Sequence, residues 1–155
     1  MTKKKIVLVD DNPANLYLPH SFETTNTVVY TGTHDNDTTC GWYEKAGEKS
    51  KDYFHRYMNV DGKDASWDMI RLAYSTVAEQ AVVPVQDVMA LGGWVRMNTP
   101  GVAENNWQFR YTPDMLTERM AEGLWYLSGL YNRREMPEDE EDAEDTEDAE
   151  EERLT

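Results

Sequence analysis

Thr27-Val28-Val29-Tyr30-Thr31-Gly32-Thr33-His34-Asp35-Asn36-Asp37 is the stretch on which the reading of this chain turns. Its first five residues are β-branched or aromatic and uncharged, the composition of a short buried strand. The next six change character abruptly and gather an imidazole, two carboxylates and a carboxamide. A buried strand running straight into such a cluster places His34, Asp35, Asn36 and Asp37 at the strand's C-terminal end. In parallel α/β folds that is where catalytic residues collect. An Asn- and Asp-rich turn has the same composition, and spacing alone leaves both readings open. One imidazole and two carboxylates within four residues lack the spacing of a metal site, so no metal is expected there.

Outward from this stretch, residues 6–9 form a second β-branched run that ends in the turn signal Asp10-Asp11-Asn12-Pro13. Residues 12–26 read as a loop. Residues 43–58 show a patchy helical period, and Asp61-Gly62 marks a break. Ser66 is placed to cap a helix over 67–80, with Trp67, Ile70, Ala73, Tyr74 and Val77 on one face. Residues 81–85 are strand-like, although Pro84 suits only a strand end or a bulge. Residues 90–110 are rich in Gly, Asn and Pro. Thr112-Pro113 opens a last helix that carries Leu116, Met120, Leu124, Leu127 and Tyr131. Strands alternating with helices predict an α/β fold with parallel strands. A complete (β/α)₈ barrel takes about 250 residues, and this chain has 155.

The net charge of −15 is unevenly spread. Residues 135–155 hold 13 acidic side chains and one Arg, whereas residues 1–134 hold 17 acidic and 14 basic ones. The folding part is nearly neutral, and the tail reads as a disordered, solubilising acidic segment. This balance excludes a strongly basic nucleic-acid binder. No stretch approaches the ~18 apolar residues of a membrane span, and the Lys-rich N-terminus leads into an apolar run too short for a signal peptide. Cys40 is the single cysteine, which allows no intrachain disulfide and fits a reducing, cytoplasmic setting. Gly92-Gly93 matches neither phosphate-loop pattern, so it reads as a flexible loop, and no cofactor is expected. Trp42, Trp107 and Trp125 are candidates to stack on a ligand ring, with a core place preferred for Trp125. Trp67 and Trp125 are expected in the core, Cys40 as structural, and His55 on the surface.

Several long motifs, in order, resemble the 4-α-glucanotransferase family (amylomaltase, or disproportionating enzyme). They are Asn15-Leu16-Tyr17-Leu18-Pro19-His20, the stretch from Asn26 through Thr39, Gly41-Trp42-Tyr43, Ile70-Arg71-Leu72-Ala73, Val83-Pro84-Val85-Gln86-Asp87-Val88, Arg96-Met97-Asn98-Thr99-Pro100-Gly101 and Asn106-Trp107-Gln108-Phe109-Arg110. The resemblance covers about residues 12–131. Residues 3–12 also resemble the opening of a response-regulator receiver domain, but Asp87 lies too far along the chain to serve as its phospho-acceptor.

The resemblance implies a partial TIM barrel, the last quarter of a (β/α)₈ fold, with two to three parallel strands and their helices. Three segments follow from it: an atypical strand segment over 1–11, the barrel fragment over 12–134, and the acidic tail over 135–155. The implied activity is transfer of α-1,4-glucan segments to an acceptor sugar by a retaining mechanism. Such a mechanism needs a nucleophilic carboxylate and a second carboxylic group as acid/base. By the resemblance both lie on earlier barrel strands, and no residue here matches them. Asp35 matches the family's third, transition-state-stabilising acid, and His34 the sugar-binding histidine beside it. Asn98 and Pro100, in a loop near the barrel mouth, are the further implied substrate contacts. The chain is therefore expected to hold only the third-acid part of the site and to be inactive alone. Its implied partners are α-1,4-glucans or maltooligosaccharides, and a complementing chain bearing the missing strands. The alternative is a non-catalytic glucan-binding remnant, or a poorly folding gene fragment.

Overall fold

The computed structural model describes residues 5–8 and 25–134. The turn at 10–13, all but the last two residues of the loop over 12–26 and the acidic tail over 135–155 lie outside the described residues. Three strands form one parallel sheet: β1 (Lys5–Leu8), β2 (Thr27–Tyr30) and β3 (Gln80–Val82), in that spatial order. Val28 stands opposite Ile6 on one side and Gln80 on the other. The middle strand is β2, and Thr27, Val28 and Val29 are all buried. That continuous burial is why its sequence runs apolar without alternating. The expected α/β class with parallel strands is what the molecule shows.

The helices are α1 (Thr39–Lys45), α2 (Glu48–Met58), α3 (Ala65–Ser75), α4 (Val85–Val88) and α5 (Glu118–Leu130). Thr38 caps α1, its hydroxyl accepting the Gly41 N–H at 3.0 Å. The single helix expected over 43–58 is two, because Ala46 and Gly47 both adopt extended backbone between them. The second helix, α2, ends on Asn59 in the left-handed region (φ 55°), the conformation common just past a helix end. Gly62 (φ +73°) follows, and a Cβ there would lie 2.0 Å from the Tyr43 hydroxyl. That hydroxyl bonds His55 Nε2 at 2.6 Å, so His55 is a half-buried partner and not the surface residue expected.

In α3 two faces serve two cores. Ala65, Met69 and Ala73 pack with Val29 and Phe54 under the sheet. Ile70, with Trp67 and Tyr74 beside it, packs against Val88 and Leu127. The helix stops at Ser75 and not near 80, and it starts at Ala65, so Ser66 lies inside it. The Ser66 hydroxyl donates instead to the Asp87 carbonyl at 2.7 Å. Val77, expected on the apolar face, is beyond the helix and exposed. At 81–85 the strand ends early because Pro84 begins α4, its carbonyl accepting the Asp87 N–H at 2.9 Å. A residue without an N–H costs nothing at a helix start. Thr112-Pro113 opens a 3₁₀ turn (Pro113–Met115), and α5 starts after Thr117, five residues later than expected. Gly123 lets α5 approach Trp67, since a Cβ there would lie 2.8 Å from the indole. Trp67 is core as expected. Trp125 is not: it is 61% exposed, with the Arg134 guanidinium 3.7 Å above its ring.

Candidate functional site

Beyond Tyr30 the backbone leaves the sheet through buried Thr31, whose N–H still reaches the Val82 carbonyl at 3.3 Å. Asn36 then folds the chain back. Its Oδ1 accepts the N–H and the hydroxyl of Thr33, both at 2.8 Å, and its own N–H returns to the Thr33 carbonyl at 3.1 Å. His34 and Asp35 occupy the middle of this turn, and their side chains are about half exposed, at 53% and 50%. The His34 Nε2 stands 3.4 Å from Asp35 Oδ2. The Asn- and Asp-rich turn and the cluster at the strand's end are here the same object, because the Thr33–Asn36 turn is what projects the two side chains.

The loop after the 3₁₀ turn Gly93–Val95 closes on this turn from the other side. Asn98 Nδ2 donates to Asp35 Oδ1 at 2.5 Å, and its backbone N–H donates to the His34 carbonyl at 3.1 Å. Arg96 spans both segments, from Nη2 to the Asp35 carbonyl at 2.5 Å and from Nε to the Asn98 carbonyl at 2.8 Å. The Trp107 ring lies 5.0 Å from the His34 ring, tilted 35°. Asp35, His34 and Asn98, expected in one site, are therefore together. Pro100 is not in this bonded cluster. It takes the second position of an exposed turn, Thr99 to Val102, with Gly101 at φ +80° in the third. Those are the residues a type II turn requires. An open cleft of about 360 Å³ lies beside the cluster, lined among others by Tyr30, Thr33, His34, Arg96 and Met97.

Asp37, two residues from Asp35, points elsewhere. Its Oδ1 accepts the Thr38 N–H at 2.9 Å and its Oδ2 pairs with Lys45 at 2.5 Å. The carboxylate sits where Gly41 and Gly93 come together, and a Cβ on either would lie within 2.6 Å of Oδ1. The two acids of the motif thus diverge. Among the described residues no group of three or more His, Cys, Asp or Glu is placed to hold a metal ion. Burial pushes the Cys40 thiol up, away from the thiolate a nucleophile needs.

Sequence reasoning missed the residue beneath the site. Asp87 is 2% exposed. Its Oδ1 accepts the Thr39 N–H at 2.8 Å, and its Oδ2 accepts the hydroxyls of Thr39 at 3.0 Å and Thr31 at 3.1 Å. One carboxyl therefore ties the end of β2 to the start of α1, and so grips both ends of the segment that holds His34 and Asp35. Burial raises its pKa, outweighing the three donors, and the Asp37 charge adds to the rise. Parallel pairing gave the available signal: Tyr30 stands opposite Val82, so an acid shortly after β3 falls at the same sheet edge as Thr31.

A family model described as 4-alpha-glucanotransferase matches residues 3–117. The 4-alpha-glucanotransferase of Synechocystis is 43% identical over 126 residues, which is 81% of this chain and 25% of that protein. The Thermus thermophilus 4-alpha-glucanotransferase is 44% identical over 115 residues, 70% of this chain and 23% of that protein. The solved amylomaltase from Streptococcus agalactiae, in complex with acarbose, shares 28% identity and a TM-score of 0.71, over 81% of this chain and 27% of that one. The chain belongs to the 4-alpha-glucanotransferase family. It spans about a quarter of the length of these relatives.

Proposed function

We propose that this chain carries the third-acid part of a 4-alpha-glucanotransferase site, with Asp35 as the transition-state-stabilising carboxylate. In this reading the three parallel strands and their helices are the last quarter of a (β/α)₈ barrel. The reaction served is retaining transfer of α-1,4-glucan segments to an acceptor sugar. The observation that carries the reading is the seating of Asp35 at the open end of β2, between His34 and Asn98.

Each Asp35 oxygen faces one protein group, and half of the side chain stays open. A carboxylate has about four acceptor positions, so two sugar hydroxyls can be held as well. As the sugar ring flattens and its anomeric carbon gains positive charge, those hydroxyl bonds strengthen. Such an interaction is worth more in the transition state than in the ground state, which is the requirement for catalysis. Arg96 and Asn98 keep Asp35 from turning away, and His34 borders the cleft from which the sugar approaches.

The nucleophile and acid/base come, in this proposal, from a complementing chain with the remaining strands, so this chain alone binds glucan without turnover. Isothermal titration of the 155-residue chain with maltoheptaose tests the first half. Binding is expected, weakened about tenfold or more by Asp35→Ala. No binding by the unmodified chain would refute the glucan site. Incubation with maltotriose tests the second half: glucose release by the chain alone would refute the incomplete site.

A further inference from the structure

Trp94 is 80% exposed, more than any other large apolar side chain among the described residues. It is also firmly mounted. The turn Gly93–Val95 that carries it is closed by Val95 N–H to the Gly92 carbonyl and Arg96 N–H to the Gly93 carbonyl, both at 3.2 Å. Gly93 is wedged against Asp37, and Val95 on the other flank is buried. The indole lies along the backbone of Gly92, where an added Cβ would be 3.3 Å from Cδ1. Surface loops seldom hold so large an aromatic ring this far into water on a closed turn.

What surrounds the ring is polar. A hollow of about 500 Å³ is bounded by Trp94, Arg96, Asn105, Gln108, Phe109 and Arg110. Arg110 is held in place by its Nη1, which donates to the carbonyls of Trp107 at 3.0 Å and Phe109 at 2.7 Å. Arg96 lines both this hollow and the cleft beside His34. The two depressions therefore meet at one side chain, and that side chain also bonds the Asp35 backbone.

The geometry points to a second sugar subsite at Trp94, which takes the part of an α-1,4-glucan chain that runs on past Arg96. This rests on the glucan reading of Asp35 given above and extends it. A glucose ring has an apolar C–H face and a rim of hydroxyls. An aromatic platform answers the face, and carboxamides and guanidinium groups answer the rim. An apolar protein surface would instead cover the Asn105 and Gln108 carboxamides and the remaining N–H groups of Arg96 and Arg110 with nothing to bond them, so the lining favours a sugar over a protein partner.

The test compares maltotriose with maltoheptaose, titrated into the 155-residue chain and into its Trp94→Ala form, with binding read by calorimetry. Trp94 is too exposed for the substitution to unfold the protein, and the far-UV circular dichroism spectrum checks this. The unmodified chain is expected to bind maltoheptaose on the order of tenfold more tightly than maltotriose. Trp94→Ala should abolish that preference while leaving maltotriose affinity unchanged. Asp35→Ala should weaken both sugars together. If Trp94→Ala keeps the chain-length preference, the subsite is refuted and the Asp35 reading stands. If neither sugar binds the unmodified chain, both fall. If the substitution alters sedimentation behaviour and not sugar affinity, Trp94 belongs to a protein interface and the subsite is refuted.

Discussion

Replacing Asp87 by alanine should destabilise the protein by about 3 kcal/mol, and the structure shows how that number arises. Truncation strands three donors: the Thr39 N–H and the hydroxyls of Thr39 and Thr31. Both threonines are buried, at 4% and 6% exposure, so water does not readily replace the carboxyl. Each stranded group costs about 1–3 kcal/mol. Against this, alanine also removes the cost of keeping a carboxyl out of water. The raised pKa of Asp87 shows that this cost exceeds the help its donors give to the charged form. Asp87→Asn keeps the shape and one acceptor, and should cost about 1 kcal/mol. Urea denaturation followed by tryptophan fluorescence measures both. A loss below about 0.5 kcal/mol for alanine would refute the view that Asp87 ties β2 to α1. The same group predicts a pH dependence. With a folded pKa above the unfolded one, the folded state holds the proton more tightly. Asp87's contribution to stability is therefore complete below the unfolded value and falls as pH rises through the folded one. Asp87→Asn should remove that decline. A decline that persists unchanged in the variant would assign it to other groups.

Three further outcomes follow from the same geometry. Asn98→Ala removes the bond to Asp35 Oδ1 but keeps the backbone bond to His34. Maltoheptaose affinity should fall about three- to tenfold, with stability changed by less than about 0.5 kcal/mol. Gly41→Ala puts a Cβ 2.6 Å from the Gly93 backbone and 2.5 Å from Asp37. It should cost about 2–3 kcal/mol, whereas Gly47→Ala, with nothing within 4 Å, should stay within about 0.5 kcal/mol by thermal melting. Arg133 donates to the carbonyls of Ala73, Tyr74, Thr76 and Ala78 around the end of α3. Arg133→Ala should lose about 2–3 kcal/mol, and Arg133→Lys should recover only part, because an ammonium cannot fork to several carbonyls at once.

Which features were legible in the sequence depended on how far each signal reached along the chain. The strand at Thr27 was plain because its burial is continuous and local. The parallel class followed from alternation alone. Element ends were less legible, and each miss had a local competitor. Pro84 reads as an intrusion into a strand, yet it starts a helix, because the missing N–H is harmless there. Gly47 splits a periodic stretch that counted as one helix, since it and Ala46 are extended and end α1 before α2 begins. Trp125 was expected in the core, but it is exposed, and the Arg134 guanidinium gives its face a cationic partner at the surface.

The site divides the same way, with one instructive difference. Asp35 and Asn98 are 63 positions apart, and only the family resemblance brought them into one expectation. The bond between them depends on Arg96, which touches the Asp35 carbonyl and the Asn98 carbonyl at once. A positively charged fork between two loop carbonyls has no sequence pattern, because either loop could have folded without it. Asp87 is the opposite case. Its place was deducible: β2 and β3 are parallel neighbours, so the residues that follow each strand emerge at one edge. A carboxyl buried at that edge must find donors, and the first ones available are Thr31, just past β2, and the N–H groups that open α1. The His34–Asp35 turn spans the gap between those two anchors. It follows that the orientation of Asp35 depends on Asp87 beneath it as much as on Asn98 beside it, although Asp87 does not line the cleft.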